Sequence, residues 1–381
     1  MNSLRIDAEP AVVADMHHID SAALADLALG AAFLGSGGGG DPYHNRLLGE
    51  AQIARRGPFE MIGLDQLADD ALVVPCGWIG APTVSIEKLP NGREAPQGLR
   101  RLEQILGRRI DAVLPIEIGG GNGLAPFLAA AEMGVPVLDA DGMARAFPES
   151  QMSIFSIHGL SACPSVMTDS SGALAVIETN DNHMHERMAR ALSMVMGGDA
   201  HMTEYPLTGK QARDLAIPGS ISTAIAIGAA IRRARAEGED VFAALYAALR
   251  ASGLYPFAGE LFDGKIVDLE RETRDGFAIG RVVIDGFGGQ GRMELDFQNE
   301  NLFARRDGVI CAMVPDIITI MDRETADSIT TDRLRYGQRV KVVGAAAPQT
   351  LRTEKALRLI GPAVFGFADG YVPIETLNAW G

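Results

Sequence analysis

The sequence predicts an α/β N-terminal domain with a parallel sheet, followed by an α+β C-terminal domain. The first observation is a strand–helix–strand order, in which "DAVLPIEI" (111–118) and "VPVLDAD" (135–141) flank the helical segment "LAPFLAAAEMG". Because such a unit makes its two strands parallel with a right-handed crossover, residues 111–118 and 135–139 should share one sheet. The second observation is the strand-like alternation of polar and apolar residues from about 264 to 345.

Helical periodicity is the third observation. Apolar residues recur at helical spacing from Ser21 to Leu34, and again in "HERMARALSMVMGG", "SISTAIAIGAAIRRARA" and "VFAALYAALRASG". The texture of the sequence changes beyond Pro148. We therefore predict an N-terminal α/β domain at 1–165, which carries two glycine-rich loops, and a C-terminal α+β domain at 166–381, β-rich at about 264–345.

Composition excludes several classes of protein. The 381 residues carry a formal net charge of −15, which argues against nucleic-acid binding because phosphate contacts need clustered Lys and Arg. The longest apolar run, Ile221 to Ile231, is too short to cross a bilayer and indicates one buried helix. The three cysteines lack any CxxC spacing, and the first residues lack the apolar core of a signal peptide. We expect a cytoplasmic protein without disulfides and without a membrane segment.

The first glycine-rich loop lies in "FLGSGGGGDPYHN", from Phe33 to Asn45. Four consecutive glycines lose much conformational entropy on folding, so the absence of side chains at these positions must serve a purpose. Asp41 and Pro42 fit the start of a helix, so the glycines should lead into a helix N-terminus. Backbone N–H groups at that position can bind an anion or a polar ring, and the alternative is a tight interhelical turn. The candidate binding residues are Gly37, Gly38, Gly39, Gly40 and Asp41.

The second glycine-rich loop, Gly119 to Gly123, lies between a strand and a helix, as in dinucleotide-binding folds. No register of this loop gives G-x-G-x-x-G, and Glu117 just before it would repel a pyrophosphate. The pattern therefore disfavours a dinucleotide cofactor. Gly120, Gly121 and Asn122 remain candidates for binding a small molecule.

Three acids follow the two strands of the β–α–β unit. Glu117 ends one strand, and Asp139 and Asp141 end the next, so all three should reach the carboxyl edge of a parallel sheet, where ligands bind. Crowded carboxylates raise one pKa, which suits general acid or base catalysis near neutral pH. The alternative is that Asp139 or Asp141 only caps a short helix near Gly142. Arg145 can pair with either aspartate.

Two further segments carry candidate polar residues. "PTVSIEKL" contributes Thr83, Glu87 and Lys88, whose charge pair would alone be an ordinary surface pair. "FQNEN" places Glu300 between two asparagines after an amphipathic strand, which suits turn capping or substrate hydrogen bonding.

The histidine-containing segment "NDNHMHER" is interpreted as a surface turn. His183 and His185 have the spacing of two metal ligands on a strand, but the sequence fixes no third ligand beside them. Neither G-x-S-x-G nor H-E-x-x-H occurs, which removes the main support for serine-triad and zinc-protease chemistry.

An ordered set of motifs carries a family resemblance. "LGSGGGGDPY", "GAPTVSIEKL", "EIGGGNGL", "VLDADGMARAFPE", "FQNEN", "VPDIITIMD" and "RYGQRVKVV" occur in that order, from about Asp20 to Tyr371. This set resembles the S-methyl thiohydantoin desulfurase family, formerly a domain-of-unknown-function family linked to hydantoinase/oxoprolinase proteins. One departure is Ala144, where the family's pattern usually has Gly.

The resemblance implies a hydrolase that releases methanethiol from an S-methyl thiohydantoin and leaves a hydantoin. A carboxylate must activate water for attack on the ring carbon, and hydrogen-bond donors must hold the ring. The alternative is a non-catalytic binding or regulatory partner of a hydantoinase/oxoprolinase-type enzyme. A divalent metal ion and an oligomer both stay open. We predict Glu117, Asp141 and Asp139 as catalytic residues. The predicted substrate-binding residues are Gly37, Gly38, Gly39, Gly40, Asp41, Thr83, Glu87, Lys88, Gly120, Gly121, Asn122, Arg145 and Glu300.

Overall fold

The computed structural model describes residues 18–80, 88–274, 276–289 and 291–380. Its helices are α1 (Ser21–Leu34), α2 (Tyr43–Arg56), α3 (Glu94–Leu106), α4 (Ala125–Met133), α5 (Ile154–Ile157), α6 (Asn182–Val195), α7 (Gly209–Leu215), α8 (Ser220–Glu237), α9 (Val241–Ala251), α10 (Glu354–Ile360) and α11 (Ile374–Leu377).

The strands follow the same chain order. They are β1 (His18–Ile19), β2 (Phe59–Ile62), β3 (Leu72–Gly80), β4 (Ala112–Pro115), β5 (Val137–Leu138), β6 (Ala140–Asp141), β7 (Ser165–Thr168), β8 (Leu174–Ile177), β9 (Asp199–Thr203), β10 (Leu207–Thr208), β11 (Ile217–Pro218), β12 (Ala258–Arg274), β13 (Phe277–Gly286), β14 (Arg292–Gln298), β15 (Glu300–Arg306), β16 (Val309–Met313), β17 (Ile317–Asp322) and β18 (Arg339–Ala345).

The N-terminal sheet is mixed, with strand order β1-β2-β5-β4-β3-β9-β7-β8 and β10 added beside β3. Its central strands β2, β5, β4 and β3 are parallel, and the strands around them are antiparallel. Val113 of β4 pairs with Val137 of β5, so the predicted parallel strands are neighbours. The predicted α/β class is confirmed for this region.

The C-terminal sheet is antiparallel throughout, with strand order β16-β15-β14-β13-β12-β18-β17. It curls so that β15 returns close to β17, and the Asn301 side chain donates to the carbonyl of Ile318 across that gap (2.9 Å). Alternate residues along β14, Met293, Leu295 and Phe297, are buried, as the polar–apolar alternation predicts. The predicted β-rich section is confirmed.

Helix α1 packs against α8, and the two helices join the N-terminal and C-terminal parts of the chain. Asp20 caps the start of α1 by accepting from the N–H of Ala23 (2.9 Å). Asp26, buried on α1, pairs with Arg232 of α8 through two hydrogen bonds of 2.7 and 2.8 Å. The apolar run of α8 is buried as a single helix, as predicted. None of the helices among the described residues is long and apolar enough to cross a membrane.

The first glycine-rich loop is bonded to the C-terminal sheet. The Ser36 hydroxyl donates to the carbonyl of Ile318 (2.8 Å) and accepts from its N–H (3.0 Å). The N–H of Asn301 donates to the carbonyl of Ser36 (2.7 Å). The N-terminal sheet also takes in β7 to β10, which begin at residue 165. The domain boundary placed there stays a prediction.

Candidate active site

The two glycine-rich loops lie directly against each other. The N–H of Gly121 donates to the carbonyls of Gly39 (2.9 Å) and Gly40 (3.0 Å), and Asn45 of α2 donates to the carbonyl of Gly121 (2.8 Å). This contact is possible because Gly120 has φ of +62° and its position leaves no room for a Cβ beside Gly40. The two loops therefore meet in one close-packed contact.

A cleft of about 120 Å³ opens beside the loops, past the carboxyl ends of β3 and β4. Such a volume suits a small molecule and is well below that of pockets for drug-sized ligands. Six of the predicted site residues line it: Gly39, Gly40, Asp41, Glu117, Asn122 and Glu300. The cleft therefore brings together residues that are up to 261 positions apart in the chain.

Glu117 is the central carboxylate of the cleft. It is 5% exposed, and it accepts from the Asn122 amide (2.6 Å) and from the N–H of Phe147 (2.9 Å). Asn122 is itself oriented because its oxygen accepts from the N–H of Trp78 (2.6 Å). Burial raises the pKa of Glu117 to about 7, although both hydrogen bonds and nearby Arg145 oppose that shift.

Glu300 faces the same cleft from the first residue of β15. It is 2% exposed, and its Oε1 accepts from the N–H of Gly39 (3.2 Å), while Oε2 has no hydrogen-bond partner among the described residues. Burial raises the pKa of Glu300 to about 8, and the neighbouring charge of Glu117 adds to the increase. Because the two negative charges disfavour each other, ionisation of one carboxyl group favours protonation of the other.

Arg145 lies buried behind these two acids. Its guanidinium donates to the carbonyls of Ala146 (2.9 Å), Asp316 (2.6 Å) and Asn301 (3.2 Å), and it stacks over the ring of Phe147. Burial lowers its pKa to about 10, so it stays charged at neutral pH. It balances the negative charge of the cleft without lining it.

The two aspartates of the predicted catalytic set lie outside the cleft wall. Asp141 is fully buried, and its Oδ2 accepts from the N–H groups of Ile118 (2.9 Å), Met143 (3.1 Å) and Ala144 (2.7 Å). Asp139 accepts from the N–H of Ser222 (2.9 Å) at the start of α8. Burial raises the pKa of Asp141 to about 7. These hydrogen bonds show that both aspartates hold nearby backbone in position. A catalytic role for either aspartate stays a prediction.

The remaining predicted binding residues that the structure describes lie outside the cleft wall. Gly37, Gly38, Gly120 and Gly121 form the packed part of the two loops. Lys88 donates to the carbonyls of Met196 (2.5 Å) and Asp199 (2.7 Å) and so holds the end of α6. Thr83 and Glu87 lie outside the described residues.

The part of the cleft lining formed by α6 and by the residue after β9, which we call the opposite wall, contains residues that the sequence analysis missed. Glu186 and Arg190 of α6 form an ion pair there, and Glu186 also accepts from the N–H of Ser150 (3.0 Å). Glu204, which follows β9, lines the cleft with Glu186 as a neighbouring charge. Trp78, near the end of β3, lines it beside Asn122. The spacing of four residues between Glu186 and Arg190, which is typical of an ion pair on a helix, was the one local sequence pattern that could have predicted part of this wall.

The surface-turn interpretation of the histidine segment is wrong for His185. Helix α6 begins at Asn182, with Asp181 as its cap, and helical periodicity turns His185 into the interior, where it is fully buried. Across the described residues, no group of three or more His, Cys, Asp or Glu side chains is arranged to hold a metal ion.

Comparison with known families decides the identity of the fold. A model described as "S-Me-THD-like, N-terminal domain" matches residues 22–179, and "S-Me-THD-like, C-terminal domain" matches residues 180–374. The chain belongs to the S-Me-THD-like family. An X-ray crystal structure of a protein from Chromobacterium violaceum is similar in fold, with a TM-score of 0.77, 22% identity, and coverage of 94% of this chain and 99% of that chain. No curated protein matches the sequence significantly.

Ala144, where the motif resemblance predicts glycine, lies in a turn with an unusual backbone conformation. Ala144 has φ of +59°, in the left-handed region that favours glycine, and its N–H is one of the three that donate to Asp141. Its carbonyl accepts from the Tyr255 hydroxyl (2.5 Å). The pattern's glycine suits this backbone conformation, and the alanine adopts it because Asp141 and Tyr255 fix the turn on both sides.

Proposed function

We propose that this S-Me-THD-like protein hydrolyses a small S-methyl thiohydantoin, releasing methanethiol and leaving a hydantoin. The observation that supports this most directly is the placement of Glu117 and Glu300 in one small cleft with different surroundings. The Glu117 carboxylate accepts two hydrogen bonds, whereas Glu300 accepts one, and its Oε2 finds no partner in the described part of the chain. Such a pair suits one base and one acid at neutral pH.

In the proposed reaction Glu117 is the general base. Its carboxylate takes a proton from water as the water oxygen attacks the ring carbon that bears sulfur. The π electrons of the C=N bond move to the ring nitrogen, which takes a proton from Glu300. The resulting tetrahedral intermediate carries hydroxyl, S-methyl and ring nitrogen on one carbon.

Collapse of this intermediate completes the reaction. The hydroxyl returns its proton to Glu300, a C=O bond forms, and the C–S bond breaks with its electrons on sulfur. A net proton transfer from Glu117 to the methanethiolate then gives methanethiol and returns both carboxyl groups to their starting states. Asn122 holds Glu117 in place by a hydrogen bond, and this bond and the charge of the buried Arg145 both favour the ionised form of Glu117. The Gly40 N–H has no acceptor among the described residues, so it is available to donate to the ring carbonyl.

The test follows methanethiol release from an S-methyl thiohydantoin with a thiol reagent. We expect the wild-type protein to turn over, and Glu117→Gln to lose on the order of a hundred- to ten-thousand-fold in rate with an unchanged melting curve. Glu94→Gln is the matched control. Glu94 is also buried, at 1% exposure, but it accepts from the N–H of Asn91 (2.7 Å) and does not line the cleft.

Near-native turnover of Glu117→Gln would contradict the assigned base. A wild-type protein that binds the hydantoin product but releases no methanethiol would instead favour the alternative of a binding subunit for a hydantoinase-type enzyme.

A further inference from the structure

A buried acid on the opposite wall has no part in the steps above. Glu204 is 1% exposed and lines the cleft directly after β9, where its N–H donates to the carbonyl of Pro75 (3.2 Å). Its Oε2 has no hydrogen-bond partner among the described residues, and Nδ1 of His185 lies 3.9 Å from that oxygen. That Nδ1 is equally buried and unpaired within the described part of the chain.

Behind His185 the contacts continue into the interior. Its Nε2 lies 2.7 Å from the Ser165 hydroxyl of β7, and both residues are fully buried. The three side chains thus form a row from the cleft wall to the core: Glu204, His185, Ser165. Since a serine hydroxyl can donate or accept, it can pair with either neutral tautomer of the imidazole.

The distance of 3.9 Å between Glu204 and His185 is longer than a hydrogen bond, so a small side-chain movement is needed before this row gives Glu204 a partner in both of its protonation states. When Ser165 donates to Nε2, the proton of His185 sits on Nδ1 and points toward an ionised Glu204. When Ser165 accepts from Nε2, Nδ1 is free to accept from a protonated Glu204. The imidazole stays neutral in both arrangements, as burial lowers its pKa. Glu204 can therefore release and regain a proton without a change of backbone.

The charges around Glu204 favour its protonated form. Glu186 from α6 and Glu117 from the end of β4 are both negative neighbours, and the positive charge of Arg190 is paired with Glu186. The other titratable groups that face it, Cys76, Cys163 and Tyr205, are neutral because their pKa values are raised. Burial is the main cause that raises the pKa of Glu204 to about 8, and the negative charges of Glu186 and Glu117 add to it.

We propose that Glu204 is a further catalytic residue, which gives its proton to the departing methanethiolate, and that His185 and Ser165 are its positioning residues. This role rests on the proposed hydrolysis. As the C–S bond breaks, the sulfur receives the bonding electrons and takes the proton of Glu204, so methanethiol leaves neutral. The proton that Glu117 took from water then passes through solvent to Glu204, and all three carboxyl groups regain their starting states.

Two substrates separate this role from a structural one. The first is the S-methyl thiohydantoin, and the second is its S-trifluoroethyl analogue, whose more acidic thiol leaves without needing a proton. We expect Glu204→Gln to slow the S-methyl substrate on the order of a hundredfold or more and the analogue only a few-fold. Glu117→Gln should slow both substrates equally, since water attack is common to them. Glu94→Gln should slow neither.

The positioning residues are tested by the pH profile with the S-methyl substrate. His185→Leu removes the group facing Glu204 and should shift the alkaline limb of the profile, whereas His185→Asn keeps an amide near the position of Nδ1 and should restore it. If Glu204→Gln does not fold by its melting curve, Glu204→Asp provides the same two-substrate comparison.

Equal losses on the two substrates, or no loss on either, would overturn the role of Glu204 while leaving the hydrolysis standing. A wild-type protein inactive on both substrates would overturn the hydrolysis and this role together.

Discussion

The two glycine-rich loops have similar sequences but different surroundings. In the first loop, a Cβ on Gly38 would lie 1.9 Å from Oε1 of Glu300, the tip of a side chain. In the second loop, a Cβ on Gly120 would lie 2.4 Å from the carbonyl oxygen of Gly40, which is backbone. Gly38 of the first loop therefore leaves room for a reacting group, and Gly120 of the second leaves room for the first loop. A run of glycines in a sequence does not tell these two purposes apart.

The largest expected effect is on the second loop. Gly120→Ala combines a positive φ with a clash against backbone that cannot rotate away, so the free energy of unfolding should fall by about 3 kcal/mol or more. Gly134→Ala is the control, because Gly134 has φ of +69° but no atom within 4 Å of its Cβ position. It should cost only about 1–2 kcal/mol. Denaturant unfolding measures both, and similar losses would refute a close-packed loop contact.

A smaller effect, on activity, is expected in the first loop. Gly38→Ala pushes the Glu300 carboxyl aside while the fold remains, so turnover should fall on the order of a hundredfold with little change in melting temperature. Combining it with Glu300→Asp, which shortens the side chain, tests the cause. The double variant should lose no more than Glu300→Asp alone, and full additivity of the two losses would speak against this contact.

The smallest effect is the pH dependence of stability that Glu300 contributes. Its pKa rises from 4.5 to about 8 on folding, so the folded state binds more protons than the unfolded state between these values. Stability is therefore lost as pH rises through that window. The wild-type melting temperature should be lower at pH 8.5 than at pH 5.5. In Glu300→Gln the loss of unfolding free energy between these two pH values should be smaller than in the wild type, by ~1 kcal/mol or more. Equal decreases in the two proteins would contradict the raised pKa.

Much of the fold follows from local patterns. The β–α–β order predicted that β4 and β5 lie in one parallel sheet, and they are neighbours in it. The polar–apolar alternation after residue 264 predicted the strands of the C-terminal sheet. Position at strand ends also pointed to Glu117, and the glycine-rich loops to Asn122 and Gly39, all of which line the cleft. These residues could be found because short stretches of chain determine where they lie.

The opposite wall could not be found in this way. Glu204 reaches the cleft because β9 pairs antiparallel with β3, and that pairing joins residues more than a hundred positions apart. His185 was misjudged because the segment was considered as a turn, whereas α6 gives it a buried face. Asp139 followed the rule for strand ends, but its carboxylate accepts from Ser222 instead of facing the cleft. Long-range pairing leaves no mark in a single sequence.

The bonding of Ser36 to Ile318 has a consequence for the modularity of this family. Glu117 lies in the part matched as the N-terminal domain, while Glu204 and Glu300 lie in the part matched as the C-terminal domain. The loop between α1 and α2 reaches the cleft in its present position because β17 and β15 hold it. The two halves are thus not interchangeable parts. In a chimaera of two relatives, the glycine-rich loop and the strands that hold it should come from the same parent.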